Sequence, residues 1–159
     1  MLQLYIDADA CPVKEESYRV AARHSLPVFV VTCLPMRDPT RPGVTFVPVA
    51  EGPDIADDWI AERIGTGDIC VTDDIPLAAR CVRNGALVVN TRGRFLHAGN
   101  IGEILATRDL LERLRGDGTL PEGTGGGPAP YTKKDRSQFL QQMEQTVRAA
   151  MKLRDEAAN

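Results

Sequence analysis

Aromatic residues are scarce, at 5% of the 159-residue chain. A surface that binds single-stranded nucleic acid by stacking its bases would want more of them. The four cysteines, Cys11, Cys33, Cys70 and Cys81, form no CxxC pair, and there are only two histidines, His24 and His97. A structural zinc site is therefore not expected, and reduced thiols are the simplest reading. No apolar run approaches the roughly 20 residues of a membrane-spanning helix. The opening MLQLYIDADA has no basic region ahead of its apolar segment and meets an acid at once. It does not read as a secretion signal, and a cytoplasmic protein is expected. Positive charge is not in excess either: the formal net charge is −3. Nucleic acid would not be drawn by the overall field, so any contact with it needs a local basic patch.

What is present is ordinary globular composition, 43% hydrophobic and 26% charged, in a chain long enough to bury a core as one domain over residues 1–159. Short apolar runs alternate with helical patterns. Leu2–Ile6 reads as a strand and Pro12 to about His24 as a helix with proline near its first turn. Val28–Cys33 is a continuous β-branched run of the kind found in strands covered on both faces. Val44–Val49 is a weaker strand and Asp54–Ile64 a helix. Ile69–Thr72 reads as a strand, Pro76–Arg83 as a helix, Ala86–Val89 as a strand and Asn100–Arg115 as a helix. This order predicts a three-layer α/β fold, a mainly parallel sheet with helices on both faces. Residues 116–130, GDGTLPEGTGGGPAP, read as a Gly/Pro-rich loop. Residues 131–159 follow as a C-terminal helical extension. Thr132 and Asp135 make a helix-start pair, and Phe139, Met143, Val147 and Ala150 share one face that needs an apolar partner.

Two of the strands run into acids. LYIDADACPVK carries Asp7 and Asp9, and DICVTDDIPLAAR carries Asp73 and Asp74. In an open α/β sheet, ligands sit beyond the carboxyl ends of the strands. If these strands are neighbours, the acids meet on one rim, with Asp7 and Asp9 pointing to the same side of an extended backbone. Like charges held together are costly unless a cation lies between them, and Mg²⁺ or Mn²⁺ favours carboxylate oxygens. The competing reading is helix capping, worth about 1 kcal/mol each. Asp9 would cap a helix from Cys11, and Asp74 one from Pro76. Asp7 has no such explanation. GPDIADDWIAERI adds Asp54, Asp57 and Asp58. Asp54 fits an N-cap with Asp57 at the reciprocal position, and Ile55, Trp59 and Ile60 fit the core. Three acids in five residues nonetheless exceed what capping needs.

Cys11 begins a helix, where a thiol can be activated. The arginine that a Cys-loop phosphatase would place six residues on is Ser17, so a small, partly buried residue is the plainer reading. Cys33, Cys70 and Cys81 read as core. NTRGRF follows the last strand and should bring Arg92 and Arg94 near the acidic rim. Lys133, Lys134 and Arg136 follow the glycine-rich loop, which is not GxxxxGK[ST] and so no Walker A. Acids for a metal and cations for phosphate suit phosphodiester chemistry.

DADACPVK, DIADDWI, GDICVTDDIPLAARC, the RGR segment and the late GGP…KKDR segment together resemble the YaiI/YqxD family of uncharacterised bacterial proteins. The resemblance runs along nearly the whole chain. More loosely, the chain is similar to PIN-like nuclease domains, whose acids hold Mg²⁺ or Mn²⁺ and activate water against a phosphodiester. That likeness implies a PIN-like fold. It matches Asp7 to the acid of the first strand, with Asp9 where an Asn is usual. Thr72, Asp74, Leu77 and Ala78 match the T-x-D-x-x-L-A segment, and Asp54 or Asp57 matches the middle acid. The expectation is a metal-dependent ribonuclease. Asp7, Asp9, Asp57 and Asp74 would be catalytic, with the same four and Asp54 as metal ligands. Arg92, Arg94, Lys133 and Arg136 would meet phosphates of RNA or another phosphate-containing substrate. Two alternatives stand beside it. YIDADAC also resembles the strand end of haloacid-dehalogenase-type phosphohydrolases, with Asp7 as nucleophile, the second Asp as acid–base and Thr32 as phosphate-binding hydroxyl. Otherwise the rim binds metal and nucleic acid without turnover.

Overall fold

The computed structural model describes residues 1–118 and 129–158. Six strands form one sheet: β1 (Leu4–Asp7), β2 (Val28–Thr32), β3 (Val44–Pro48), β4 (Ile69–Val71), β5 (Leu87–Val89) and β6 (Phe95–Leu96). Their spatial order is β3-β2-β1-β4-β5-β6, and every pair is parallel except β5 with β6. Five helices complete the described chain: α1 (Lys14–Arg23), α2 (Ile55–Arg63), α3 (Ile75–Arg83), α4 (Ile101–Gly116) and α5 (Lys133–Ala158). This is the three-layer α/β arrangement that the alternating pattern predicts.

Both faces of the central strands are apolar because both are covered. Leu4, Ile6, Val28, Val30, Ile69, Val71 and Val89 pack into one core. Tyr5, Val31, Cys70 and Val88, pointing the other way in the pleat, pack into a second. Handedness then assigns the helices. The chain steps from β1 to β2 in one direction and from β3 through β4 to β5 in the other. Right-handed crossovers therefore place α1 on one face and α2 and α3 on the opposite face. That leaves the first face bare beside β4 and β5. The last helix fills the gap: Phe139, Met143, Val147 and Ala150 are fully buried in the α1-side core. Arg23 and His24 of the α1 end meet Glu144 at 2.6 and 2.9 Å. The apolar stripe on α5 is thus the missing half of a layer.

β6 is an addition to the pattern read from sequence. Asn90 turns the chain back, accepting the amides of Arg92 and Arg94 on its side chain at 3.0 and 2.8 Å. Gly93 completes the turn at φ +86°, a conformation that glycine adopts without strain. Other boundaries differ modestly. The first helix begins at Lys14, not near Pro12, with Val13 before it. Gly116, which the composition assigns to a loop, is the last residue of α4. The rest of the glycine-rich loop falls mainly on residues 119–128, outside those described. Among the described residues no helix is long and apolar enough to cross a membrane.

Candidate functional site

The strand order reverses between β1 and β4, and there a crevice opens at the carboxyl ends of a doubly wound sheet. A cleft of about 330 Å³ lies at this end. Asp7, Asp9, Asp54, Asp57, Asp73 and Asp74 all line it, together with Cys11, Cys33 and Thr91. The acids arrive from four places in the chain: the end of β1, the loop into α2 and its first turn, and the β4–α3 turn. Among the described residues none of the six forms an ion pair.

Asp7 is the last residue of β1 and receives one hydrogen bond, from the Thr72 hydroxyl to Oδ2 at 2.8 Å. Its carboxyl is pushed up to about 6, by burial first and then by the charges of Asp57, Asp9 and Asp74, against the Thr72 bond. Asp57, in the first turn of α2, is likewise raised to about 6 by burial and by Asp74 and Asp54. Asp54 and Asp57 accept no side-chain hydrogen bond from any described residue. Two carboxyls on separate elements thus repel across one cleft with no cationic side chain paired to either.

The other acids are held in place. Asp74 is the N-cap of α3, with Oδ1 accepting the Leu77 amide at 2.9 Å. Thr72 ties it to Asp7, since the hydroxyl that donates to Asp7 also accepts the Asp74 amide at 3.0 Å. Asp73 accepts the Thr91 amide and hydroxyl at 2.8 and 2.7 Å, joining the ends of β4 and β5. Asp9 does not continue the strand beside Asp7. The chain turns at residues 8–10, and Ala10 sits at φ 59°. The Asp9 carboxylate reaches the end of β2, accepting from the Thr32 hydroxyl at 2.6 Å and from the Cys33 amide and thiol at 3.2 and 3.0 Å. Burial opposes its ionisation, but these bonds outweigh burial and lower its pKa. It caps no helix.

Several expectations are corrected here. Asp54 occupies the N-cap position of α2 but makes no capping bond, because its backbone lies in the left-handed region at φ 66°. Backbone strain of this kind, at Ala10 and Asp54 in the lining of one cleft, is typical of functional sites. Asp58 turns away to Arg80 at 2.7 Å. Ile55, read as core, is 36% exposed and covers the Gly52 turn. Cys33, also read as core, is half-buried and lines the cleft. Cys11 is buried, and burial first of all raises its thiol to about 11, which rules out a ready nucleophile at neutral pH.

The cations are not brought to the acids. Arg92 pairs with Asp135 at 2.8 Å, lies 5.7 Å over the Tyr131 ring and bonds the Ala129 carbonyl, so it anchors the start of α5. Arg94 lines a separate polar groove with glutamines of α5. Lys133, Lys134 and Arg136 are exposed on the first turns of α5. That segment is fastened beside the cleft by Tyr131, whose hydroxyl donates to the Thr91 carbonyl at 2.8 Å.

An all-carboxylate donor set suits Mg²⁺ or Mn²⁺ rather than softer metals. The side chains do not stand as a finished coordination sphere: among the described residues no group of three or more His, Cys, Asp or Glu is clustered tightly enough to hold an ion. Half of the cleft acids are committed to hydrogen bonds on both oxygens or to a cap. The three least committed are Asp7, Asp54 and Asp57.

The chain matches, over residues 5–149, the family model described as "Uncharacterized BCR, YaiI/YqxD family". It is 51% identical over 150 residues to a UPF0178 protein of Cereibacter sphaeroides, covering 94% of this chain and 91% of that one. It is 49% identical over 152 residues to a UPF0178 protein of Ruegeria pomeroyi, covering 96% and 97%. A UPF0178 protein of Azorhizobium caulinodans is 49% identical over 146 residues, covering 92% and 89%. No solved structure matches the chain. The chain belongs to the YaiI/YqxD family.

Proposed function

We propose that the protein is a divalent-metal-dependent phosphodiesterase of PIN-like type, acting on RNA in the cytoplasm. The observation that carries this reading is the pair Asp7 and Asp57. They stand on separate elements in one cleft, each raised to about 6 by burial and by surrounding carboxylates, with no cationic side chain within ion-pair reach. A fold does not accumulate such repulsion for stability. A cation of charge +2 would relieve it.

In this reading Asp7, Asp54 and Asp57 hold the ion through oxygens that no other residue occupies, and Asp74 contributes the oxygen its cap leaves free. Bound there, Mg²⁺ or Mn²⁺ would polarise a phosphodiester and lower the pKa of a coordinated water. Thr72 orients Asp7 and fixes the Asp74 turn against it. Asp9 and Asp73 brace the walls of the cleft, joining β1 to β2 and β4 to β5. Arg94, Lys133 and Arg136 meet phosphates of a strand that extends beyond the cleft towards the β5–β6 hairpin. The haloacid-dehalogenase reading gains nothing from the geometry. It needs Asp9 as an acid–base, but hydrogen bonds depress that carboxyl, and it needs the Thr32 hydroxyl free for phosphate, but that group is buried and bonded to Asp9.

The test is cleavage of end-labelled single-stranded RNA with Mn²⁺ or Mg²⁺, by the wild type and by Asp7→Asn and Asp57→Asn. The expected result is cleavage abolished by chelator and reduced at least about 100-fold in each variant, as for loss of a ligand to a catalytic ion. Metal and RNA binding without cleavage would replace the enzyme with a binding protein. Cleavage that survives chelator would contradict the metal altogether.

A further inference from the structure

Thr91 lines the acidic cleft, and the three residues after it, Arg92, Gly93 and Arg94, line a groove of about 390 Å³ between the β5–β6 hairpin and α5. The opposite wall of this groove is glutamine: Gln138, Gln141, Gln142 and Gln145. These are four of the five glutamines in the chain. Gln142 donates to the Thr146 hydroxyl at 3.1 Å. The other three side chains are exposed and hydrogen-bond to no described residue. Among the described residues, neither a carboxylate nor an aromatic ring lines the groove.

Gln138, Gln141 and Gln145 belong to one stripe of α5. Spacings of three and four put Lys134 before them and Arg148 after them on the same face, and all five are exposed. At 1.5 Å per residue the stripe is about 21 Å long. The two acids within its span are turned to other partners. Asp135 holds Arg92 at 2.8 Å, and Glu144 meets Arg23 and His24 at 2.6 and 2.9 Å, with Arg148 further off at 4.0 Å. Lys152 extends the stripe before Asp155 and Glu156 end it. Across the groove, Arg94 is exposed, and neither it nor Lys134 forms an ion pair among the described residues. An ordinary solvated helix face mixes the two signs of charge. A chain with 22 acids and 19 lysines and arginines keeps this face free of acid.

We propose that this groove carries the sugar–phosphate backbone of a single RNA strand whose scissile phosphate lies in the acidic cleft. Arg94, Lys134 and Arg148 meet phosphates. The glutamine amides, each both donor and acceptor, bond phosphate oxygens and 2′-hydroxyls, the group that tells RNA from DNA. With no ring on which to stack a base, the groove follows the backbone and not the sequence. This is the local patch through which a chain of net negative charge can meet a polyanion. The choice of RNA rests on the phosphodiesterase reading above, but the groove uses none of the metal-binding acids, so its test omits metal.

The experiment is fluorescence anisotropy of a labelled single-stranded RNA of about 10 nucleotides with the full chain in EDTA, across a range of salt. The wild type should bind saturably, with log K falling against log salt at a slope of about −2, as for three phosphate contacts on a single strand. DNA of the same sequence should bind about fivefold more weakly, the value of one hydrogen bond, and the RNA duplex more weakly still. Arg94→Gln should weaken RNA about tenfold and reduce the slope by about 0.7. Gln141→Ala combined with Gln145→Ala should remove the preference for RNA over DNA and leave the slope unchanged. Arg113→Gln, the same charge change on the exposed surface of α4, should bind as wild type does. Every substituted side chain is exposed, so the variants should melt with the wild type, and lost affinity then reads as lost contact. Absence of saturable binding at low salt, equal losses in Arg94→Gln and Arg113→Gln, duplex bound as tightly as the single strand, or displacement of the RNA by poly-glutamate as readily as by unlabelled RNA would each overturn the proposal. Failure here with metal bound and RNA cleaved would remove the groove alone. RNA held in the groove of a protein that binds no metal would remove the phosphodiesterase reading instead.

Discussion

Asp7 carries opposite instructions for folding and for function. Its folded carboxyl titrates at about 6 against an ordinary value of 3.8. The native state therefore holds a proton that the unfolded chain has released, and stability falls as pH rises from about 4 to 6. Above that window the charged carboxylate costs the fold about 2–3 kcal/mol, because each tenfold change in proton affinity is worth about 1.4 kcal/mol. Asp7→Asn keeps an oxygen for Thr72 and loses the charge. In chelator at pH ~7.5 it should be more stable than wild type by about that amount, the difference vanishing below pH ~4; thermal melts across pH measure this. Asp74 separates a structural role from a chemical one. Asp74→Ala loses the bond to the Leu77 amide and should cost about 1 kcal/mol, whereas Asp74→Asn keeps the cap and should cost a few tenths. Urea titration of the two variants checks the pair. Sequence cannot decide such a residue: capping and site membership are rival readings of Asp74, and its two oxygens allow both. Asp9 defeats a sequence reading for a different reason, because its neighbour in sequence is not its neighbour in space. Its partners are at residues 32–33, fixed only once β2 pairs with β1.

At the scale of elements, period-2 alternation within continuous apolar runs makes the central strands legible. It works because each face of the sheet has its own core. β6 escapes a pattern reading because two residues carry no period, and the signal that points to it is the Asn-x-x-Gly turn ahead of Phe95. The arginines of that turn are hard to place for the same reason: a hairpin folds them towards α5 and away from the acids. The hairpin and α5 touch at backbone distance, since a Cβ on Gly93 would lie 2.5 Å from the Gln138 carbonyl carbon. Gly93→Ala meets that clash at positive φ and should destabilise by about 2–4 kcal/mol. Phe139→Ala empties the centre of the α5 contact and should cost about 3–5 kcal/mol. Chemical denaturation of both variants would show whether α5 is an integral layer; losses under about 1 kcal/mol would make it an appendage.

For the whole molecule, the two ends of the sheet hold their acids differently. At the amino ends of the strands Asp68 is buried and saturated, accepting the amides of Gln3 and Gly65 at 3.0 and 2.9 Å. At the carboxyl ends, six acids share a cleft without one ion pair among the described residues. Asp68 is thus fully engaged, whereas at the other end Asp7, Asp54 and Asp57 keep carboxylate oxygens that no described residue occupies. The fold class follows from sequence pattern alone; the gathering of acids from β1 and β4 requires these strands to be neighbours, which the sheet order supplies. Which acids of the α2 segment join them depends on the left-handed backbone at Asp54, which no pattern announces. The proposed chemistry depends on a cation held in that cleft. Calorimetric titration of Mn²⁺ into metal-free protein, with Asp7→Asn and Asp57→Asn alongside, tests it. One site per chain in the wild type, with release of protons near pH ~6 and loss of binding in each variant, is the predicted result. No binding by the wild type, with or without a nucleotide present, or binding that both variants retain, would contradict it.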